Sequence, residues 1–173
     1  MLGIVILGIL SDTHGRAQIA AIAVQRLIDH GARYLVHCGD VGSRGVLDAL
    51  AGGDPPAAVV WGNTDHDRER LADYATHLGI RHDHPALRLE LAGKRIVVTH
   101  GDNGRALADV FRRPGEADYL LVGHTHAAAD DNHHGVRVIN PGALYRALHK
   151  TVATLDLATG ELRWIRIDDL PHE

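Results

Sequence analysis

The stretch GIVILGILSDTHG, residues 3–15, decides how the rest of the chain is read. Gly3 to Leu10 is a continuous run rich in Ile, Leu and Val, the composition of a strand buried on both faces. Ser11 to Gly15 is polar and ends that strand. Ile19, Ile22, Ala23, Arg26 and Leu27 then recur at helical spacing, and Gly31 closes the helix. A buried strand, a polar corner and a helix in succession open an α/β fold.

The same alternation continues outward. Tyr34 to His37 is a second short strand, Val46 to Leu50 a short helix, and Ala57 to Trp61 a third strand. Three strands alternating with helices imply right-handed crossovers and a mostly parallel sheet. Further on, Leu87–Leu91 and Arg95–Thr99 flank Ala92-Gly93 as a hairpin. Leu107 to Phe111 reads as helix and Tyr119 to Val122 as strand. Val136–Ile139, Val152–Leu157 and Leu162–Ile167 read as antiparallel strands, the last pair joined by Ala158-Thr159-Gly160. The expectation is an α/β fold with a second, more antiparallel sheet, in one domain spanning residues 1–173.

Composition narrows the function. Of 173 residues, 45% are hydrophobic, which excludes a disordered chain. Cys38 stands alone, which excludes a disulfide scaffold. A net charge of -4 argues against a nucleic-acid-binding domain. The apolar run Leu2–Leu10 is far short of the ~20 residues of a membrane span and lacks the flanks of a signal peptide. A cytoplasmic protein is the expectation. Histidine is the outlier, with 14 residues, and it is both the commonest metal ligand and a near-neutral titrating group.

The apolar strands share one habit: each ends in a polar cluster. Leu10 runs into Asp12-Thr13-His14, and Val36 into His37-Cys38-Gly39-Asp40. Trp61 runs into Gly62-Asn63-Thr64-Asp65, Val98 into Thr99-His100-Gly101-Asp102, and Val122 into Gly123-His124-Thr125-His126. Ligands of open α/β sheets bind outside the carboxyl ends of the strands, so these clusters converge if the strands are neighbours. Asp12 and His14, two residues apart on an extended segment, would leave one face of the strand end together, and the same holds for His124 and His126. Hard oxygens mixed with imidazole suit Mn, Fe, Zn, Co or Ni. Asp12, His14, Asp40, Asn63, His100, His124 and His126 are more donors than one four-coordinate ion needs. They suit two ions ~3.5–4 Å apart with a shared carboxylate, an arrangement used for phosphoester hydrolysis.

Those five motifs, in that order, resemble the calcineurin-like metallophosphoesterase superfamily. The short chain, and Asn140-Pro141-Gly142 after the last His motif, resemble its small phosphodiesterases of the YfcE type. The resemblance covers Ile4 to about Gly142. It implies a four-layer α/β/β/α sandwich. It implies that Asp12, His14 and His126 hold one divalent ion, that Asn63, His100 and His124 hold a second, and that Asp40 bridges them. Mn2+ is the ion the resemblance implies, with Fe, Zn, Ni or Co as alternatives. The implied reaction is in-line attack of a metal-bridging hydroxide on a small phosphodiester. A homodimer is also compatible with the resemblance. Two other readings stay open: a non-catalytic interaction scaffold like the retromer subunit VPS29, and a phosphomonoesterase or nuclease of the same superfamily.

Two positions depart from the family pattern. Thr64 stands where relatives carry His or Cys beside the leaving group, and a threonine hydroxyl is a poor proton donor at neutral pH. Asp102 stands where relatives often carry His, and it is expected to cap the following helix. Other polar clusters carry blander expectations. His82-Asp83-His84 reads as a solvated loop, and Asp130 to Gly135 as an exposed hairpin turn. His37 reads as a satisfied buried histidine and Cys38 as a small hydrophobe. Arg16, Arg44 and Arg105 closely follow the motifs, and any one of them could clamp a phosphate.

Overall fold

A computed structural model describes residues 5–113 and 115–167. The first of its two sheets contains β1 (Ile6–Leu10), β2 (Tyr34–His37), β3 (Ala57–Val60) and β4 (Arg81–Asp83), all parallel. On the other side of β1 lie β10 (Thr151–Asp156) and β11 (Leu162–Arg166), each antiparallel to its neighbour. The second sheet runs in the order β5 (Ala86–Leu91), β6 (Lys94–Thr99), β7 (Tyr119–Leu121), β9 (Val136–Asn140) and β8 (Ala129–His133).

Period-two alternation sends the strands' side chains into different layers. Leu7 and Ile9 of β1 pack with Val36, Val60, Ile96, Val98 and Leu121 between the sheets. Leu10, Leu35 and Val59 face the other way. They meet Val24 and Leu27 of α1 (Ala17–Asp29), Leu47 and Leu50 of α2 (Arg44–Ala51), and Leu71 of α3 (Arg68–His77). Across the molecule, Val97 and Leu120 meet Val110 of α4 (Gly104–Arg112). The result is the expected α/β/β/α sandwich. Each fully buried Leu or Ile contributes about 1.5–3 kcal/mol, and the aliphatic core achieves this with few aromatic rings.

The register places the strand ends side by side. Leu10 is opposite His37, which is opposite Val59. In the second sheet Val98 is opposite Leu121, which is opposite Ile139. The polar segments that follow these residues therefore emerge along one edge of the sandwich.

Several expectations need correction. The first strand begins at Ile6, and the expected start at Gly3 and Ile4 lies outside the described residues. The second sheet is mixed, since β6, β7 and β9 are parallel between two antiparallel hairpins. The three closing strands split between sheets, because alternation reveals a strand's faces but not its partners. Arg81–Asp83 is a short edge strand where a loop was expected. Asp130 to His133 lies in edge strand β8, and only His134-Gly135 turns; a strand polar on both faces has no apolar period to announce it. Asn103 caps α4 by accepting from the N–H groups of Arg105 and Ala106, whereas Asp102 is one residue too early and exposed. Among the described residues, no helix is long and apolar enough to cross a membrane.

Candidate metal centre

Five strand ends do meet. The chain leaving β1 hydrogen-bonds alongside the segment leaving β2: Asp12 N–H donates to Gly39 O, His14 N–H to Asp40 O and Gly15 N–H to Val41 O. The expected extended geometry at Asp12 and His14 is absent. Both are left-handed, with φ of 55° and 45°, as are Asp40 at 55°, His124 at 67° and His126 at 60°. Eight non-glycine residues among those described have positive φ, and five of them belong to the predicted ligand set. Each such residue carries strain of order 1–3 kcal/mol, retained only where the surroundings enforce it.

The side chains form two overlapping groups. Ligand atoms of Asp12, His14 and His126 lie within 4.8 Å of one another, and so do those of Asp12, Asp40 and His100. Asp40 Oδ2 stands between the two, 3.5 Å from His14 Nε2 and 3.3 Å from His100 Nε2. Asn63 Oδ1 is 3.1 Å from His100 Nε2, and the exposed His124 ring stands edge-on to His100 at 5.1 Å. Among the described residues, two buried side-chain atoms have no hydrogen-bond partner: Asp12 Oδ1 and His14 Nε2. His126 Nε2 is 3.1 Å from Asp12 Oδ1, close as an ion pair but without hydrogen-bond geometry. Buried polar atoms are nearly always paired, so orphaned acceptors that converge on one point are what a cation site looks like.

A surrounding shell fixes these groups. Asp12 Oδ2 accepts from Ser11 Oγ at 2.6 Å and from the His124 N–H at 3.1 Å, which turns Oδ1 toward the histidines. Asp40 Oδ1 accepts from the Thr64 N–H. The Cys38 carbonyl, 2.8 Å from His100 Nδ1, accepts the Nδ1–H hydrogen bond and so aims Nε2 inward. His37 is fixed likewise: the Gly39 N–H donates to Nδ1, so Nε2–H faces Thr13 Oγ1. Asp65 collects the N–H groups of Val41, Gly42 and Gly62, tying the β2 and β3 loops together. Asn140 Nδ2 donates to Gly123 O and Thr125 Oγ1, holding the loop that carries His124 and His126. A Cβ at Gly62 would fall on Asp40 Oδ1, and one at Gly123 on Ser11 Oγ, so neither position admits a side chain.

The electrostatics follow. Burial would raise the Asp40 carboxyl, but hydrogen bonds from His100 and Thr64 outweigh it and hold the group well below the usual carboxylate range. Burial would lower His100; its bonds to Asp40 and the Cys38 carbonyl, with the two carboxylate charges, raise it to about 9. Burial lowers His14 despite Asp40 and Asp12. Burial also lowers His37 to about 3, keeping it neutral, and pushes the Cys38 thiol up. A proton on His100 thus balances carboxylates that a divalent ion would otherwise neutralise.

All seven predicted donors line one edge, with Asn63 and His124 on its solvent side. Thr64 is half-buried beside them. Of the three arginines, Arg16 stands nearest: its guanidinium lies 3.4 Å over the Tyr145 ring, which is 5.1 Å from the His14 ring. Arg44 instead lies over Tyr74, and Arg105 is exposed on α4. Ser11, Asp65 and Tyr145 were not singled out from sequence as site residues. Asp65 lies inside the quoted Gly62–Asp65 cluster, which was its only sequence signal.

The fold and the centre together define a metallophosphoesterase, and residues 5–160 match the calcineurin-like phosphoesterase superfamily domain. The chain belongs to that superfamily, and its reaction class is phosphoric ester hydrolysis. Among its relatives is Phosphodiesterase MJ0936 of Methanocaldococcus jannaschii, 26% identical over 94% of this chain and 99% of the relative. A solved structure described as a novel archaeal phosphodiesterase superposes with a TM-score of 0.84 at 27% identity, covering 93% of this chain and 99% of that one. The E. coli phosphoesterase YfcE gives 0.66 at 20% identity, covering 94% and 100% of the two chains, and Vps29 of Entamoeba histolytica gives 0.61 at 18%, covering 93% and 97%. These last two share the fold.

Proposed function

We propose that this chain is a phosphodiesterase of small substrates that works with two divalent cations. In this reading Asp12, His14 and His126 would hold one ion, Asn63, His100 and His124 would hold the other, and Asp40, placed between the two groups, would serve both. The observation that carries it is the pair of orphaned buried atoms, Asp12 Oδ1 and His14 Nε2, facing His126 across one small gap. The donor set of carboxylate, amide oxygen and imidazole fits Mn2+ and its neighbours, with Mn2+ the first ion to test. Such ions, when bound, neutralise phosphoryl oxygens and bring the pKa of water down to around 7.

The chain's own residues do the rest. Ser11 and the His124 N–H orient Asp12, and the Cys38 carbonyl orients His100. Asn63 and His124, exposed at the mouth, meet the incoming diester first. Thr64 can donate a hydrogen bond to the departing oxygen but is a weak acid, so activated aryl esters are the better substrates. The acidic balance supports a small diester over a nucleic-acid polymer. A cytoplasmic setting, in which the buried Cys38 stays reduced, belongs to the same proposal.

The test is hydrolysis of bis(p-nitrophenyl) phosphate by metal-stripped protein, with and without Mn2+, with folded Asp40→Asn protein as control. Turnover that needs the ion and is lost in the variant is the expected result. No turnover with Mn2+, Ni2+, Co2+, Fe2+ or Zn2+ would overturn it in favour of an interaction scaffold.

A further inference from the structure

Several arginines of the protein are spent on carboxylates. Arg95 pairs with Asp118 at 3.0 Å, Arg137 with Asp130 at 2.8 Å and Arg163 with Glu161 at 2.7 Å. Arg16 and Arg146, both exposed, have no carboxylate partner among the described residues. Both are held by Tyr145 instead. Arg16 stacks on its ring at 3.4 Å, and Arg146 Nε donates to its hydroxyl at 3.0 Å. Stacking grips a guanidinium by its face; Arg16 Nη1 makes one long contact, 3.5 Å to the His14 carbonyl, and the rest of its edge is left for a ligand. Arg146 likewise commits Nε and keeps its two terminal nitrogens.

Position makes this pair specific. The Tyr145 ring is 5.1 Å from that of His14, and the Arg146 carbonyl lies 3.5 Å from His126 Nδ1. Arg146 is itself left-handed, with φ of 49°, so its place is enforced. Arg16 is also the N-cap of α1, whose first turn contains no acidic residue and whose cap makes no side-chain hydrogen bond. The partial positive charge of that helix end therefore adds to the two guanidinia. Because the arginines are anchored on Tyr145 and not on the ligand atoms, the anion they suit is a neighbour of the group at the centre.

We infer that Arg16, Tyr145 and Arg146 form an anion subsite beside the Asp12–His14–His126 end, selecting diesters that carry a second phosphate on the same alcohol. This rests on the proposed phosphodiesterase reading for its kinetic arm only. Guanidinium–phosphate bonds are charge-assisted and bidentate, so a preference of roughly 10-fold or more is expected.

The probes are thymidine 5′-(p-nitrophenyl phosphate) and the same ester bearing a 3′-phosphate, hydrolysed by the Mn2+-loaded protein. The 3′-phosphorylated ester should have the higher kcat/KM, mainly through KM, and the ratio should fall to about 1 in Arg16→Gln/Arg146→Gln protein. Tyr145→Leu should lose the preference, and Tyr145→Phe, which keeps the ring under Arg16, should retain part of it. Binding supplies a readout independent of turnover. Thymidine 3′,5′-bisphosphate should bind more tightly than thymidine 5′-monophosphate by calorimetry, and the double variant should abolish the difference. Hydrolysis without any preference in wild-type protein overturns the subsite and leaves the phosphodiesterase reading intact. A binding preference without hydrolysis does the reverse. A preference that survives in the double variant assigns it to other residues and overturns the subsite.

Discussion

The two ends of the centre are built differently. At the first, Asp12, His14 and His126 already stand within coordinating reach of one another, two of them left-handed corners on the strand β1 loop. At the second, buried His100 is locked by the Cys38 carbonyl, while Asn63 and His124 are exposed and meet the centre through His100. Rigidity at one end and exposure at the other divide two tasks. A prearranged donor set favours holding an ion, because little ordering remains to be done on binding. Exposed donors favour exchange with solvent and substrate.

The strongest way to break this contrast is Asp40→Asn, because Asp40 contacts both ends. Removing one member of a buried charged set costs about 3–5 kcal/mol, so ion affinity should drop about 10²–10⁴-fold at both ends by calorimetric Mn2+ titration. Loss at a single end would mean that Asp40 is not shared. Next comes Asn140→Ala, which frees the loop carrying one histidine of each end. Supporting residues of this kind are worth about 10–100-fold, and both binding steps should weaken. An unchanged first step would show that His126 is held without that loop.

Thr64→His addresses the exposed end alone. It should speed hydrolysis of an alkyl phosphodiester by ~10²-fold or less and leave p-nitrophenyl esters little changed, since only a poor leaving group needs a proton. Equal gains on both substrates would place the effect elsewhere.

The smallest effect concerns the floor beneath both ends. His37 has a folded-state pKa of about 3 against an ordinary 6.5, so below pH 6.5 the unfolded chain binds the extra proton. Stability should therefore fall as pH drops below 6.5 toward the folded-state value, with this group contributing part of the slope. Thermal melts of His37→Gln protein should show a shallower slope across that window. A slope equal to wild type would remove His37 as the cause.

Much of this was legible because each donor follows a strand end, and strand ends of neighbouring parallel strands must emerge together. Asp12, Asp40 and His100 could be placed on that ground. The backbone at Asp12 and His14 could not. Its left-handed turns come from hydrogen bonds to Gly39, Asp40 and Val41, and those partners are remote in sequence. Asp65 and Ser11 escaped for a related reason: their roles are to satisfy N–H groups and a carboxylate supplied by other segments. The polar edge strands β4 and β8 have no apolar rhythm. Arg16 could not be chosen over Arg44 or Arg105 because its anchor, Tyr145, lies more than a hundred residues away in the chain.

The predicted donors hang from both sheets, Asp12, Asp40 and Asn63 from the first, His100, His124 and His126 from the second. Ions shared among them would rivet the two halves of the sandwich at one edge. Opening the layers there would then require releasing the ions. Amide exchange in β1, β2, β6 and β7 should slow as the ion concentration rises, whereas the distant β10–β11 edge should keep its own pace. The donor-bearing edge would be the seam that sets how far the protein breathes.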